Sequence, residues 1–357
     1  MTIIGSQPWR IGALIPEWAR DPRVVTTARF TVAGIIAFAV FSIILLLDRA
    51  NPITAVWEMF ESALGGEFGR SEVLVKLVPI GLCAAATAVP ARAGLINVGG
   101  EGQFHIGALF AGGLVLYSGA PDLLLLPLAV IGGAVGGALW AGLAGGLRVR
   151  FNLNEAISTL LLNYVAIQLV NYFVFGPWRD PDAFNWPFTA DFPSAAIPPG
   201  FWAGRVHAGL ILVPIVLGVL FLVFRYTRAG YEMRAVGGNA LAAARTGIPT
   251  GRYLFWSLVA GGAIAGLAGM AEVTAIQGRL RPGISIGYGF IGFLASWLGG
   301  HRPVGVLFAA ALFSVLVVGG DSLQISAGLP GSSVNILMAL MLFALLAGRR
   351  NTAAVRS

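Results

Sequence analysis

Residues 94–113 read GLINVGGEGQFHIGALFAGG. The second half has the composition of a membrane helix. The first half sets Asn97, Glu101, Gln103 and His105 among Gly94, Gly99, Gly100 and Gly102. A carboxylate at the centre of a membrane helix costs about 2.5–3.5 kcal/mol on insertion scales, so it is retained where it faces a bundle interior or water. The surroundings of this stretch therefore decide how the chain folds.

Those surroundings are apolar. Of 357 residues, 57% are hydrophobic and only 11% charged, against about 25% charged in a soluble domain. The mean hydropathy is +0.81. The chain holds 49 glycines, a residue that membrane helices tolerate better than soluble ones do. These features define an all-α polytopic membrane protein. The net charge of +7 follows from Lys and Arg in the loops between apolar runs and reads as topology; no nucleic-acid partner is implied. The single cysteine, Cys83, lies in an apolar run and excludes both an internal disulfide and a thiolate metal cluster. Residues 1–29 are mixed, with Arg10, Arg20, Arg23 and Arg29, and do not read as a cleavable leader.

A spanning helix needs roughly 20 apolar residues. Ten candidates follow, near 30–47, 73–91, 97–117, 123–146, 156–175, 208–224, 253–276, 284–300, 303–319 and 332–348. With the N-terminus in the cytoplasm, 16 of the 23 Lys and Arg residues fall inside, as the positive-inside rule requires. The seven outside are Arg49, Arg70, Lys76, Arg179, Arg205, Arg279 and Arg281. This gives a cytoplasmic segment 1–29, one transmembrane domain 30–348 and a cytoplasmic tail 349–357. An outer loop, 176–207, is rich in Pro and aromatics and is expected to form a cap. An inner loop, 225–252, is expected to hold a short helix over 239–246, with Asn239 as N-cap and Gly247 as its stop. A helix of that length is marginal alone in water and needs a partner.

Two segments resemble one another. ARAGLINVGGEG enters the third span and LRPGISIGYGF enters the eighth. They lie five spans apart and so start from opposite faces, as inverted five-span repeats with Gly-broken helices would.

Glu101 and His105 are four apart, which places them on one helical face, and Asn97 is expected to extend that face. In the fifth span Glu155, Thr159 and Asn163 recur at the same interval. Two readings stay open: these residues line a polar permeation path, or they form a hydrogen-bonded network that pins a broken helix. Glu155 also fits a helix N-terminus capped by Asn154. Glu272 is a third acid in an apolar run. Metal binding by Glu101 and His105 lacks a further ligand, since His207 and His301 fall near other loops. No GxxxxGK[ST] or HExxH motif occurs, so no enzyme activity, ATP hydrolysis or cofactor is implied.

The segments AGLINVGGEGQFHIGALFAG, LNEAISTLLLNYVA, and EMRAVGGNALAAARTGI followed by AGGAIAGLAGMAEV together resemble the integral-membrane permeases of bacterial ABC importers. The nearest group is that for nucleosides and simple sugars, related to the branched-chain amino acid permeases. The resemblance runs from about Val73 to the C-terminus. It implies a multi-pass protein of the cytoplasmic (inner) membrane that carries a small polar solute, a nucleoside first and a sugar second; the residues expected to border its path, from their cost in lipid and their spacing, are Asn97, Glu101, Gln103, His105, Glu155, Thr159 and Asn163. It also implies that the inner loop couples to a cytoplasmic ABC ATPase through Arg234, Gly237, Gly238, Asn239 and Arg245. The further partners implied are an extracytoplasmic solute-binding protein and, from NVGGEGQ and the long outer loop, a second homologous permease in a heterodimer. An ion-coupled secondary transporter, with Glu101, Glu155 and Glu272 as coupling groups, is the alternative.

Overall fold

The structure, a computed structural model, describes residues 22–47, 50–326 and 335–340. They divide into two units, one holding residues up to Pro52 together with those from Ser332 onward, the other Ile53–Gly331. In the first unit, α1 (Pro22–Leu47) covers the first expected span. Most of the tenth expected span, 332–348, lies outside the described residues.

The second unit is a bundle of helices: α2 (Pro52–Leu64, entering from the first unit), α3 (Glu67–Arg92), α4 (Gly100–Tyr117), α5 (Asp122–Phe151), α6 (Glu155–Phe175), α7 (Leu212–Tyr226), α8 (Arg228–Gly238), α9 (Ala240–Arg245), α10 (Thr250–Glu272), α11 (Tyr288–Leu298) and α12 (Pro303–Ser326). Among the described residues, six helices are long and apolar enough to cross a membrane, and they coincide with the second, fourth, fifth, sixth, seventh and ninth expected spans. The chain is thus an all-helical, multi-pass membrane protein. Helices α4 and α11 do not meet that standard by themselves: α4 carries Glu101, Gln103 and His105, and α11 has only 11 residues. Helix α2 was not expected from the sequence.

Helices α3, α4 and α10 form the centre. α3 is buried along nearly its whole length. Helices α4, α5 and α10 approach backbone to backbone through small residues. A Cβ on Gly266 of α10 would lie 2.0 Å from the Gly133 carbonyl oxygen of α5, and one on Gly107 of α4 would lie 2.3 Å from the Gly266 Cα. Without a hydrophobic drive between helices in lipid, such close packing is what holds them together. The outward faces of α5, α6 and α7 expose Ile131, Leu139, Ile157, Leu161, Ile215 and Leu222, the surface an apolar solvent requires.

The glycines do not break α4, contrary to expectation. The irregular backbone lies before it, over 93–99, where Gly94 takes a φ of +81° and Gly99 caps the helix. Asn97 therefore sits in this irregular segment and not on the helical face of Glu101 and His105. The reason is local: Asn97 Oδ1 accepts the Gly99 N–H at 3.0 Å, a turn that competes with helix. The counterpart before α11, 278–287, is irregular too, with Gly278, Gly283 and Gly287 at positive φ.

The outer loop folds onto that counterpart. Thr189 N–H donates to the Leu280 carbonyl at 3.1 Å, and Leu280 N–H donates to Thr189 Oγ1 at 3.0 Å. Asp191 pairs with Arg279 at 2.7 Å. At the other end, the inner loop contains more helix than expected. Asn239 does cap α9, accepting the Ala242 N–H at 3.0 Å, and Gly247 follows it at φ +86°. However, Gly237 and Gly238 are the last turn of α8, so the bend falls at Asn239 itself. Thr227 caps α8, its hydroxyl accepting the Gly230 N–H at 3.1 Å.

Candidate functional site: a polar network around an irregular segment

Inside a membrane, irregular backbone survives only where its N–H and C=O groups find protein partners or line a cavity. Helix α6 supplies those partners to the segment before α4. Its buried residues Glu155, Thr159 and Asn163 stand one turn apart on one face. Glu155 Oε1 accepts the Ile96 N–H at 3.2 Å, Thr159 Oγ1 accepts the Val98 N–H at 3.2 Å, and Asn163 Oδ1 accepts the Gly102 N–H at 2.8 Å. Asn163 Nδ2 also donates to the Val98 carbonyl at 2.9 Å. Three side chains at helical spacing thus satisfy backbone N–H groups of the irregular segment and of the first turn of α4. The interval of four that singled them out has this cause.

The remaining residues complete the network. The amides of Asn97 and Gln103 pair reciprocally, at 3.1 Å and 3.0 Å. His105 Nδ1 lies 2.8 Å from the Glu101 carbonyl oxygen. A carbonyl only accepts, so the ring carries its proton on Nδ1 there. Glu155 also faces Arg148 of α5 at 3.3 Å, and Asn154 caps α6 through the Ala156 and Ile157 N–H groups. All seven expected path residues are brought together and all are buried.

Glu101 reaches further. Its Oε2 accepts the Gly289 N–H in the first turn of α11 at 2.7 Å. A Cβ on Gly289 would lie 2.1 Å from the Glu101 backbone nitrogen, so the starts of α4 and α11 meet head to head. Each helix N-terminus carries roughly +0.5 charge, and the one carboxylate serves both.

Sequence reasoning missed the neighbours on the far side of this meeting point. Lys76 of α3 donates to the Tyr288 hydroxyl at 2.9 Å, and the Tyr288 ring lies 5.9 Å from that of Phe104. Arg205 forms a two-pronged pair with Glu72. Glu272 is buried and accepts from Gln277 at 2.9 Å. Lys76 has a usable signal, since it stands inside the apolar run VLVKLVPIGL.

The expected coupling residues gather at the other end. Gly237, at the end of α8, packs on the start of the irregular segment: a Cβ there would lie 2.5 Å from the Arg92 carbonyl oxygen and 3.0 Å from the Gly94 nitrogen. Gly238 meets nothing within 4 Å. Arg234 and Arg245 are exposed. Glu232, absent from the expected set, holds α8 down: the Tyr253 hydroxyl and then Arg228 keep its carboxyl below the usual range.

The comparisons with known proteins agree with this architecture. The glucose ABC transporter permease protein of Haloferax volcanii is 35% identical over 343 residues, covering 93% of this chain and 88% of its own. A nucleoside ABC transporter permease protein of Lactococcus lactis is 31% identical over 87% of this chain and 88% of its own. The guanosine ABC transporter permease protein of Bacillus subtilis is 29% identical over 87% of this chain and 90% of its own. Membership of an ABC permease family sets aside the ion-coupled alternative. Residues 69–346 match the branched-chain amino acid transport system / permease component family, to which the chain belongs as the membrane permease subunit of an ABC importer.

Proposed function

We propose that the chain forms the translocation path for a nucleoside, with the network around residues 94–105 as the wall of that path. The observation that carries this is the head-to-head meeting of α4 and α11 at Glu101, buried within the bundle. From there polar groups continue in both directions, through Asn97, Gln103, Thr159 and Asn163 to Glu155 and Arg148, and through Tyr288 to Lys76. Helix starts flanked by irregular backbone are how transporter folds build solute sites. In this reading α6 keeps Asn97, Gln103 and His105 in place by satisfying the backbone beneath them. The nucleoside assignment draws on the relatives named for nucleosides and guanosine. The relative named for glucose favours a simple sugar as the second reading.

The wider arrangement belongs to the same proposal. Ten spans, as two inverted five-span repeats, lie in the cytoplasmic membrane with both termini cytoplasmic. The opposed starts of α4 and α11 support the repeat. The inner loop 225–252 docks on a separate ATPase through Arg234, Gly237, Gly238, Asn239 and Arg245. A second homologous permease and an extracytoplasmic solute-binding protein complete the importer. The contact of Gly237 with Arg92–Gly94 supports a direct mechanical route from that loop to the path. The test is uptake of radiolabelled guanosine, uridine and glucose into proteoliposomes holding the complete complex. Uptake of glucose but of neither nucleoside would replace the first reading by the second.

A further inference from the structure

At the arginine-rich end of the bundle, the last turns of α3 and α7, the body of α8 and the first turn of α12 enclose a pocket of about 420 Å³. Arg92, Arg225, Arg234 and Arg302 line it, and no carboxylate does. None of the four forms an ion pair among the described residues. The Arg92 Nε is buried without a hydrogen-bond partner among those residues. Its guanidinium lies over the Phe224 ring at 4.9 Å, which fixes its plane. Four guanidinium groups converging without a counter-charge repel one another, and the repulsion is relieved by an anion between them.

A second feature of the pocket has the same sign. Pro303 and Val304, the first residues of the 24-residue helix α12, form part of its wall. Pro303 has no N–H to offer, but the N–H groups after it in the first turn have no partner within the helix, and a helix N-terminus attracts an anion. Guanidinium forks match the oxygens of a phosphoryl group better than those of a halide. The remaining wall is Phe221 and Phe224. Phe221 continues into the exposed face of α7 with Ile215, Val219 and Leu222, which is the surface along which acyl chains lie.

We propose that this pocket binds a phosphoryl anion. The apolar stripe of α7 beside it favours the headgroup of an anionic phospholipid over free phosphate as the source. Basic pockets between spanning helices take such headgroups. The inference rests on the membrane character of the chain and not on the identity of the solute. Gly237, on α8 beside the pocket, touches the irregular segment, so the occupant would brace α8 where that helix meets the path.

The test uses the purified permease complex and reads ligand binding, not transport. Native mass spectrometry is run with phosphatidylglycerol and with phosphatidylcholine. Thermal shift is measured with inorganic phosphate and with chloride at equal ionic strength. The double variant Arg225→Gln/Arg302→Gln removes two exposed members of the pocket, and Arg252→Gln, a basic exposed residue outside it, is the control. Retention of phosphatidylglycerol reduced about tenfold or more in the double variant but not in the control supports the proposal, at about 1 kcal/mol per arginine near a membrane surface. A phosphate-specific thermal shift lost in the same variant, without lipid retention, supports the site with soluble phosphate as its source. Equal lipid retention and equal phosphate shifts in wild type and double variant overturn it. So does release of the ATPase from the double variant when neither lipid nor phosphate binds the wild type, because the arginines would then be partner contacts.

Discussion

The carboxylate of Glu101 in α4 accepts the backbone N–H of Gly289 in α11 at 2.7 Å, across 188 residues of sequence. It joins the starts of two helices whose preceding segments are both irregular. Replacing it with Ala leaves a buried N–H unsatisfied, which costs about 1–3 kcal/mol, and removes the negative charge that both helix N-termini share. Glu101→Ala is expected to lower the melting temperature and reduce uptake while the complex still assembles. Glu101→Gln keeps an acceptor and is expected to recover most of the stability. Unchanged melting and uptake in Glu101→Ala would remove this residue from the site.

Asn163 separates pinning from solute contact. Its side chain serves two backbone groups, the Gly102 N–H and the Val98 carbonyl. Asn163→Asp keeps the acceptor and loses the donor, whereas Asn163→Leu loses both. Stability is expected to fall in the order wild type, Asp, Leu, with about 1–3 kcal/mol per orphaned group. Equal stability of the three in thermal denaturation would show that α6 does not hold the segment.

Much of this was legible in the sequence because cost in lipid is legible. Glu101, Glu155 and Asn163 stood out since an apolar chain has few reasons to keep them, and their interval of four marked a face. Hydropathy located the six long helices for the same reason. Local propensity could not show where α4 begins, because the Asn97–Gly99 turn and α6 decide it together, and α6 lies some 60 residues on. The meeting of Glu101 with Gly289 was likewise out of reach, since no local pattern encodes a partner that distant. Helix α8 was passed over because its weakly apolar sequence, RAGYEMRAVGG, is held by Glu232 and by packing. Lys76 was legible as a charge within the apolar run 73–82, but its partner Tyr288 lies 212 residues on and has no local signal.

His207 gives the structure a pH signature. It is buried in the outer loop, its Nδ1 accepts the Gly209 N–H at 3.2 Å, and burial pushes its imidazole down to about 4. The unfolded chain takes up a proton near pH 6.5, the folded one near 4. Between those values the unfolded state binds more protons, so stability falls as pH drops from about 6.5 towards 4. Above 6.5 both states are neutral and this group contributes nothing. Melting temperatures of wild type and His207→Gln, measured from pH 7.5 to 5, should diverge in slope only below about 6.5. Parallel curves throughout would contradict the buried neutral histidine.

Orientation is tested by reporter fusions at Ala183 in the outer loop and Ala243 in the inner loop. The split of 16 to 7 in Lys and Arg predicts that the first lies outside and the second in the cytoplasm. A phosphatase fused at Ala183 should be active, and one fused at Ala243 inactive. Activity at both positions, or at neither, would overturn the ten-span arrangement.

The two glycines ending α8 offer the sharpest test of coupling, because the structure treats them differently. A Cβ on Gly237 would meet the Arg92 carbonyl oxygen at 2.5 Å, while one on Gly238 meets nothing within 4 Å. Gly237→Ala must therefore push α8 away from the irregular segment or distort residues 92–94; overpacking of this kind costs about 1–3 kcal/mol. Gly238→Ala adds a better helix former in open space and is expected to leave the permease as stable as wild type or more so. If α8 transmits motion from the ATPase to the path, Gly237→Ala should keep the ATPase bound and hydrolysing while uptake falls. Gly238→Ala then becomes a probe of the docking face: intact fold with weakened ATPase retention would mark Gly238 as a partner contact. The measurements are ATPase retention on purification, solute-stimulated hydrolysis, and uptake in proteoliposomes. Normal uptake in Gly237→Ala, with wild-type retention in both variants, would reduce the inner loop to a tether between α7 and α10.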